Sequence, residues 1–256
     1  MKWCRKLVAL FVFVFSFLSS SDSFGQKFSL AERFAISDAA RGLHPTGIRT
    51  EFFVESFDGK ISQGRQRYVL RGKGASAQAD LIGDSGQILQ AILVLGDDFW
   101  LVKPTSARPV RISTQDRATG IASVGDIMAT HFSLGYTLVR DRQSVLKGKK
   151  FFHANFSPKG MLAAYQEVVA WLDPATNLVV RATYSIEKSK VAKTIDYEYR
   201  NTIGVDKKPF VSKMKIDSVD SRELDVVVDF EAPEEEPLSD DWFKFENVLG
   251  RVKKTP

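Results

Sequence analysis

From Gly47 to Phe230 the chain alternates apolar and polar residues with period two over most of its length, which restricts it to strands with one buried face. In the clearest stretch Leu178, Val180, Ala182, Tyr184 and Ile186 interleave with Val179, Arg181, Thr183, Ser185 and Glu187. The pattern returns at Val191, Ile195, Tyr197 and Tyr199, at Phe210, Met214 and Ile216, and at Leu224, Val226, Val228 and Phe230. Turn-forming residues separate these sets, so the simplest reading is a four-stranded antiparallel meander. The N-terminal half adds strands over 48–57, 61–71, 75–82, 88–95 and 99–102, joined by Asp58-Gly59, Gly72-Lys73-Gly74, residues 83–86 and Gly96-Asp97-Asp98. About ten or eleven strands in one sheet must curl or close.

Ahead of the strands, Ser29 and Glu32 have capping-box spacing, Leu30, Phe34 and Ala35 recur at helical spacing, and Gly42 and Pro45 end the segment. This predicts a short helix over 30–41. Residues 104–130 hold no period and read as loop and short helix crossing one face. A second break at 157–160 precedes a strand over 167–172. Ser239-Asp240-Asp241 reads as a helix start with acidic residues in its first turn, and Glu234-Glu235-Glu236 as a solvated connection.

The first 25 residues read as a secretory signal peptide. Lys2, Arg5 and Lys6 precede an apolar run over 7–18, and Ser23 and Gly25 set up a cut before Gln26. The run is short of the roughly 20 residues that span a bilayer. A single domain over 26–256, soluble in the periplasm after cleavage, is the expectation. The only cysteine, Cys4, lies in the leader, so the remaining chain has no disulfide, thiolate nucleophile or cysteine-held metal. The formal charge is +5, of which a net two units lie in the leader. With Lys147, Lys149 and Lys150 and Lys188, Lys190 and Lys193 as dispersed clusters, this is too mild for a nucleic-acid partner.

Chemistry is sparse. His44, His131 and His153 fit no metal spacing, and no nucleophile elbow, phosphate loop or dinucleotide fingerprint is present. The paired carboxylates fall in turns and helix starts, where capping and solvation account for them. The reading is therefore not an enzyme, with no catalytic residues, no metal and no cofactor. A hydrolase would require a Ser, His and Asp brought together from separate elements. The unusual feature is the inner face. Ala75, Ala77, Ala79 and Leu81 are small on one strand, against Phe52, Val54, Leu93, Leu95, Trp100 and Trp171 on others. Such a sheet can enclose an apolar cavity, or the helix and the 104–130 stretch can fill it.

The run Gly96-Asp97-Asp98-Phe99-Trp100-Leu101-Val102-Lys103-Pro104 resembles the hairpin strand of the LolA/LolB lipoprotein-carrier superfamily. The order of Arg108-Pro109-Val110-Arg111-Ile112-Ser113, Gly125-Asp126-Ile127 and Gly135-Tyr136-Thr137 is similar to the LolA-like outer membrane lipoprotein-sorting group. The resemblance covers nearly all of 26–256. It implies a mainly β fold, an unclosed antiparallel β-barrel with short helices as a lid over an apolar cavity. It implies a periplasmic carrier of lipoprotein acyl chains or another envelope lipid, loaded by an inner-membrane transport system and unloaded to an outer-membrane acceptor. The cavity would be lined by Phe52, Val54, Ala77, Ala79, Leu81, Leu93, Trp100, Val180 and Tyr184, with Arg71 nearest the family's lid-latching arginine. The alternative is a non-enzymatic interaction or regulatory module of an envelope transport complex, with a filled interior. Nothing in the sequence requires more than a monomer.

Overall fold

A computed structural model of the chain describes residues 28–96, 98–112, 131–160, 165–187, 190–219 and 225–254. The leader, Asp97, and most of the irregular 104–130 stretch with Gly125-Asp126-Ile127 lie outside the described residues. Helix α1, Leu30–Ala39, begins on its capping box: Ser29 Oγ accepts the Glu32 N–H at 3.3 Å and the Glu32 carboxylate accepts the Ser29 N–H at 2.7 Å. The chain then turns through Gly47 at φ +128°. A Cβ there would stand 2.3 Å from the Glu236 carbonyl oxygen, so both backbone conformation and close approach require glycine.

Ten strands fall where alternation predicts them or nearly so. They are β1 (Ile48–Asp58), β2 (Ile61–Lys73), β3 (Ser76–Ile82), β4 (Ile88–Leu95), β5 (Asp98–Val102), β9 (Glu167–Leu172), β10 (Val179–Glu187), β11 (Lys190–Glu198), β14 (Lys213–Ser218) and β15 (Asp225–Phe230). The additions are β6 (Val110–Arg111), β7 (Tyr136–Leu146), β8 (Lys149–Pro158), β12 (Asn201–Ile203), β13 (Lys208–Phe210) and β16 (Glu234–Glu235). Strand β7 is exposed over most of its length, with Arg140, Asp141 and Arg142 consecutive, so it carries no two-faced pattern. The glutamate run, read as a solvated connection, is exposed at Glu234 and Glu235, and these two also pair with Arg49 and Ile48 of β1, with Arg49 3.6 Å from Glu234.

Fourteen described strands form one antiparallel sheet in the order β6-β5-β4-β3-β2-β1-β15-β14-β11-β10-β9-β8-β7, with β16 beside β1. The two halves meet at β1 and β15, where Phe52 opposes Phe230 and Val54 opposes Val228. Strands β6 and β7 end the order without pairing to each other, so the sheet is unclosed. Its inner face forms one apolar cluster with α1 and with a short helix α2, Phe132–Gly135. Ala79 is only 1% exposed and Ala77 7%, so the small residues of β3 do not border open space.

A second cluster lies outside. Ala91, Leu93 and Val102, with Trp100, are covered by Phe243 of a 3-10 turn (Asp240–Phe243) and by Val248 and Val252 of the C-terminal helix α3, Phe245–Lys254. Arg251 ties α3 down, donating to Gln78 Oε1 at 2.7 Å and to the Trp242 carbonyl at 2.6 Å, with its guanidinium 4.0 Å from the centre of the Trp242 ring. Leu93→Ala should cost about 2–5 kcal/mol, the range for deleting a buried leucine side chain, read as a lower urea midpoint with unchanged slope.

Candidate functional site

The inward stripe of α1 and the turn after it is Phe34, Ser37, Asp38 and Arg41, at i, i+3, i+4 and i+7, and all four are buried. Ser37 fastens the helix to the sheet by accepting the Val179 N–H at 3.0 Å. Asp38 reaches across to α2. Its Oδ1 accepts the Phe132 N–H at 3.0 Å, and its Oδ2 accepts the Ser133 N–H at 2.7 Å and the Ser133 hydroxyl at 2.6 Å. His131, at the N-cap position of α2, makes no side-chain cap, so an aspartate from another helix performs that task.

Arg41 pairs with Asp38 and lies over the rings of Phe132 at 4.4 Å and Tyr197 at 5.4 Å. Burial acts to lower the Arg41 pKa, but Tyr197 and Asp38 outweigh it and hold the group above its ordinary value, so it is always charged. The Tyr184 and Tyr197 hydroxyls share a hydrogen bond of 2.7 Å, and Tyr199 donates to the Val179 carbonyl at 2.8 Å. Burial first, then Tyr197, pushes the Tyr184 phenol well above its usual pKa. Around this polar knot the contacts are apolar: Phe34 lies edge-on to Phe156 at 4.7 Å and to Phe132 at 5.6 Å.

The two short helices thus sit on the inner face through aromatic contact and a few hydrogen bonds, of which those to the Asp38 carboxylate join one helix to the other. Among the described residues no three or more His, Cys, Asp or Glu side chains cluster so as to hold a metal ion. The three histidines are apart. His44 is 3.6 Å from Glu235, His153 lies edge-on to Trp171, and His131 is beside Asp38 and Arg41.

Of the residues read as cavity lining, Phe52, Val54, Ala77, Ala79, Leu81 and Tyr184 share the inner cluster. Leu93 and Trp100 are corrected to the outer face, under α3. Residues 91–94 are all buried, so β4 shows no polar face by which its parity could be read. Val180 is also displaced from the inner cluster: the register shifts between Val179 and Arg181, and Val180 lines a depression of about 350 Å³ with Leu146, Phe151 and Arg181. Arg71 does not face the helices. It sits under the C-terminal segment, 3.1 Å from Glu236, 4.0 Å from Asp80 and 5.0 Å from the centre of the Trp242 ring.

Ser37, Asp38 and Arg41 were not legible as site residues, because polar residues at helical spacing read as a solvated face. Asp38→Ala should destabilise the fold by about 3–5 kcal/mol, the cost of leaving Arg41 buried and unpaired. Asp38→Asn, which keeps acceptor and shape, should lose less; thermal melts of both variants check the order.

A family model described as "Uncharacterized protein" matches residues 89–248. A sequence comparison with curated proteins finds no match. Among solved structures, a LolA superfamily protein from Nitrosomonas europaea superposes with TM-score 0.70 at 20% identity, over 83% of this chain and 97% of that one. A DUF1329 family protein from Desulfovibrio piger gives 0.69 at 19%, over 86% and 96%. A putative outer membrane lipoprotein-sorting protein domain from Vibrio parahaemolyticus gives 0.66 at 17%, over 87% and 100%. The fold is that of the LolA superfamily.

Proposed function

From the premise that the chain belongs to the family matched over residues 89–248 and folds as LolA superfamily proteins do, we propose that it carries acyl chains of a lipoprotein or another envelope lipid. The observation that carries this reading is the seat of α1 and α2. Two short helices cover an aromatic inner face, and α2, four residues long, is held by hydrogen bonds to one carboxylate. Helices this short have little stability of their own, so their position depends on those contacts. Moving α2 aside would uncover Phe34 and Phe156, against which Phe132 packs.

Acyl binding has energy enough for that exchange. Each buried methylene contributes about 0.8 kcal/mol, so a chain of about a dozen contributes on the order of 10 kcal/mol against the displaced aromatic contacts and hydrogen bonds. No covalent chemistry is needed, since release follows from the helices closing again or from a tighter acceptor. In this reading residues 1–25 are removed on export, the domain over 26–256 works in the periplasm, and loading and unloading partners lie in the inner and outer membranes. Among the described residues no helix is long and apolar enough to cross a membrane.

A second reading, an interaction or regulatory module with a permanently filled interior, draws support from the near-complete burial of Ala79. Native mass spectrometry of protein purified without detergent from the periplasm of its own host separates the two. The carrier should arrive with lipid or acylated peptide at near one-to-one. A bare mass that persists after incubation with acylated peptide and phospholipid would favour the filled module.

A further inference from the structure

Asp38 has no acceptor capacity to spare. Its two oxygens offer about four lone-pair positions, and they are occupied by Arg41, the Phe132 and Ser133 amides and the Ser133 hydroxyl. His131 is the next residue along from this junction, and it is electrostatically coupled to both Asp38 and Arg41. Its Nδ1 is buried and has no hydrogen-bond partner among the described residues. We propose that His131 makes the attachment of α2 to α1 sensitive to pH: the neutral ring lets α2 seat on Asp38, and the imidazolium drives α2 off the inner face. The inference deepens the carrier reading by supplying the regulation of its site.

Asp38 and Arg41 act on the ring directly, and the other titratable groups belong to the junction around them. Asp38 and Arg41 come from α1 and the turn after it. The phenols of Tyr184, Tyr197 and Tyr199 come from the sheet beside Arg41, and burial raises the pKa of Tyr184 and Tyr199 so that both stay neutral. Tyr136 follows α2, and Lys159, exposed, donates to the Ser133 carbonyl at 2.7 Å. Protonation therefore sets a buried cation beside Asp38 and Arg41, and the cost of burying it exceeds what Asp38 returns. The one carboxylate among these groups could accept from the imidazolium only by releasing an amide or hydroxyl of α2, or Arg41. Either result loosens the same junction.

Burial first, and Arg41 after it, push the His131 pKa down to about 4, with Asp38 opposing. A ring exposed by opening returns toward its ordinary value of about 6.5. The closed form is then fully stable above that value and loses stability as pH falls toward 4. Between pH 7.5 and 5 the opening equilibrium should rise about 30-fold.

The test is hydrogen exchange at the amides of residues 132–136 in the mature protein without cargo, referred to the amides of β10 at each pH. After correction for intrinsic rates, the wild type should lose protection at α2 about 30-fold between pH 7.5 and 5, while H131Q and H131F stay flat. Unchanged protection in the wild type, or the same pH profile in either variant, would overturn the proposal. If both variants fail to fold, nitrogen NMR of labelled histidine in the wild type decides it: a His131 pKa at or above about 6.5 is incompatible with the switch. The readout contains no lipid, so it fails or succeeds independently of acyl binding.

Discussion

An antiparallel sheet of fourteen strands with two unjoined edges can hide only one face by curling, and everything else in the molecule answers to that constraint. The seam is the pairing of β1 with β15, which brings a strand from the start of the domain against one near its end. Phe52, Phe230 and the stacked Tyr68 ring fill the junction, with Phe52 and Tyr68 centroids 5.0 Å apart. Because the seam unites two meanders, the inner faces of both contribute to one cluster.

What seats there is apolar in area and polar in its fastening. The contacts of Phe34, Phe132 and Phe156 are apolar, and apolar burial alone is non-directional and would tolerate several placements of so short a helix. Asp38 removes that freedom. A buried carboxylate needs donor partners for its oxygens, and Arg41 with the first amides of α2 supplies them in one geometry. The same arrangement makes the seat conditional, since a fastening built from four hydrogen bonds at one group can be released at that group. A purely aromatic seat would have no such point of control.

The outer face shows the opposite solution. Over β3 to β5 the sheet is covered by α3, whose buried Val248 and Val252 are backed by Arg251 on Gln78 and Trp242. Asp80, whose pKa burial raises, is balanced by Gln78, Arg71 and Arg251. Arg71 belongs to this fixed layer, so the position that the family resemblance marks for a latch secures the C-terminal segment.

Much of the molecule is written locally. Period-two alternation specifies the strands, the Ser29 and Glu32 box starts α1, and glycines mark turns, because each of these depends on neighbours within a few residues. Parity on β4 is not local: a run of apolar residues has two equivalent faces, and only the docking of α3 made Leu93 and Trp100 outward. Val180 left the inner cluster at a register shift, which no side chain announces. The polar stripe of α1 is the extreme case. Its period is plain in the sequence, but Asp38 finds its partners at Phe132 and Ser133, more than ninety residues away. A carboxylate is solvated or buried according to whether donors arrive to replace water, and only the tertiary structure brings them.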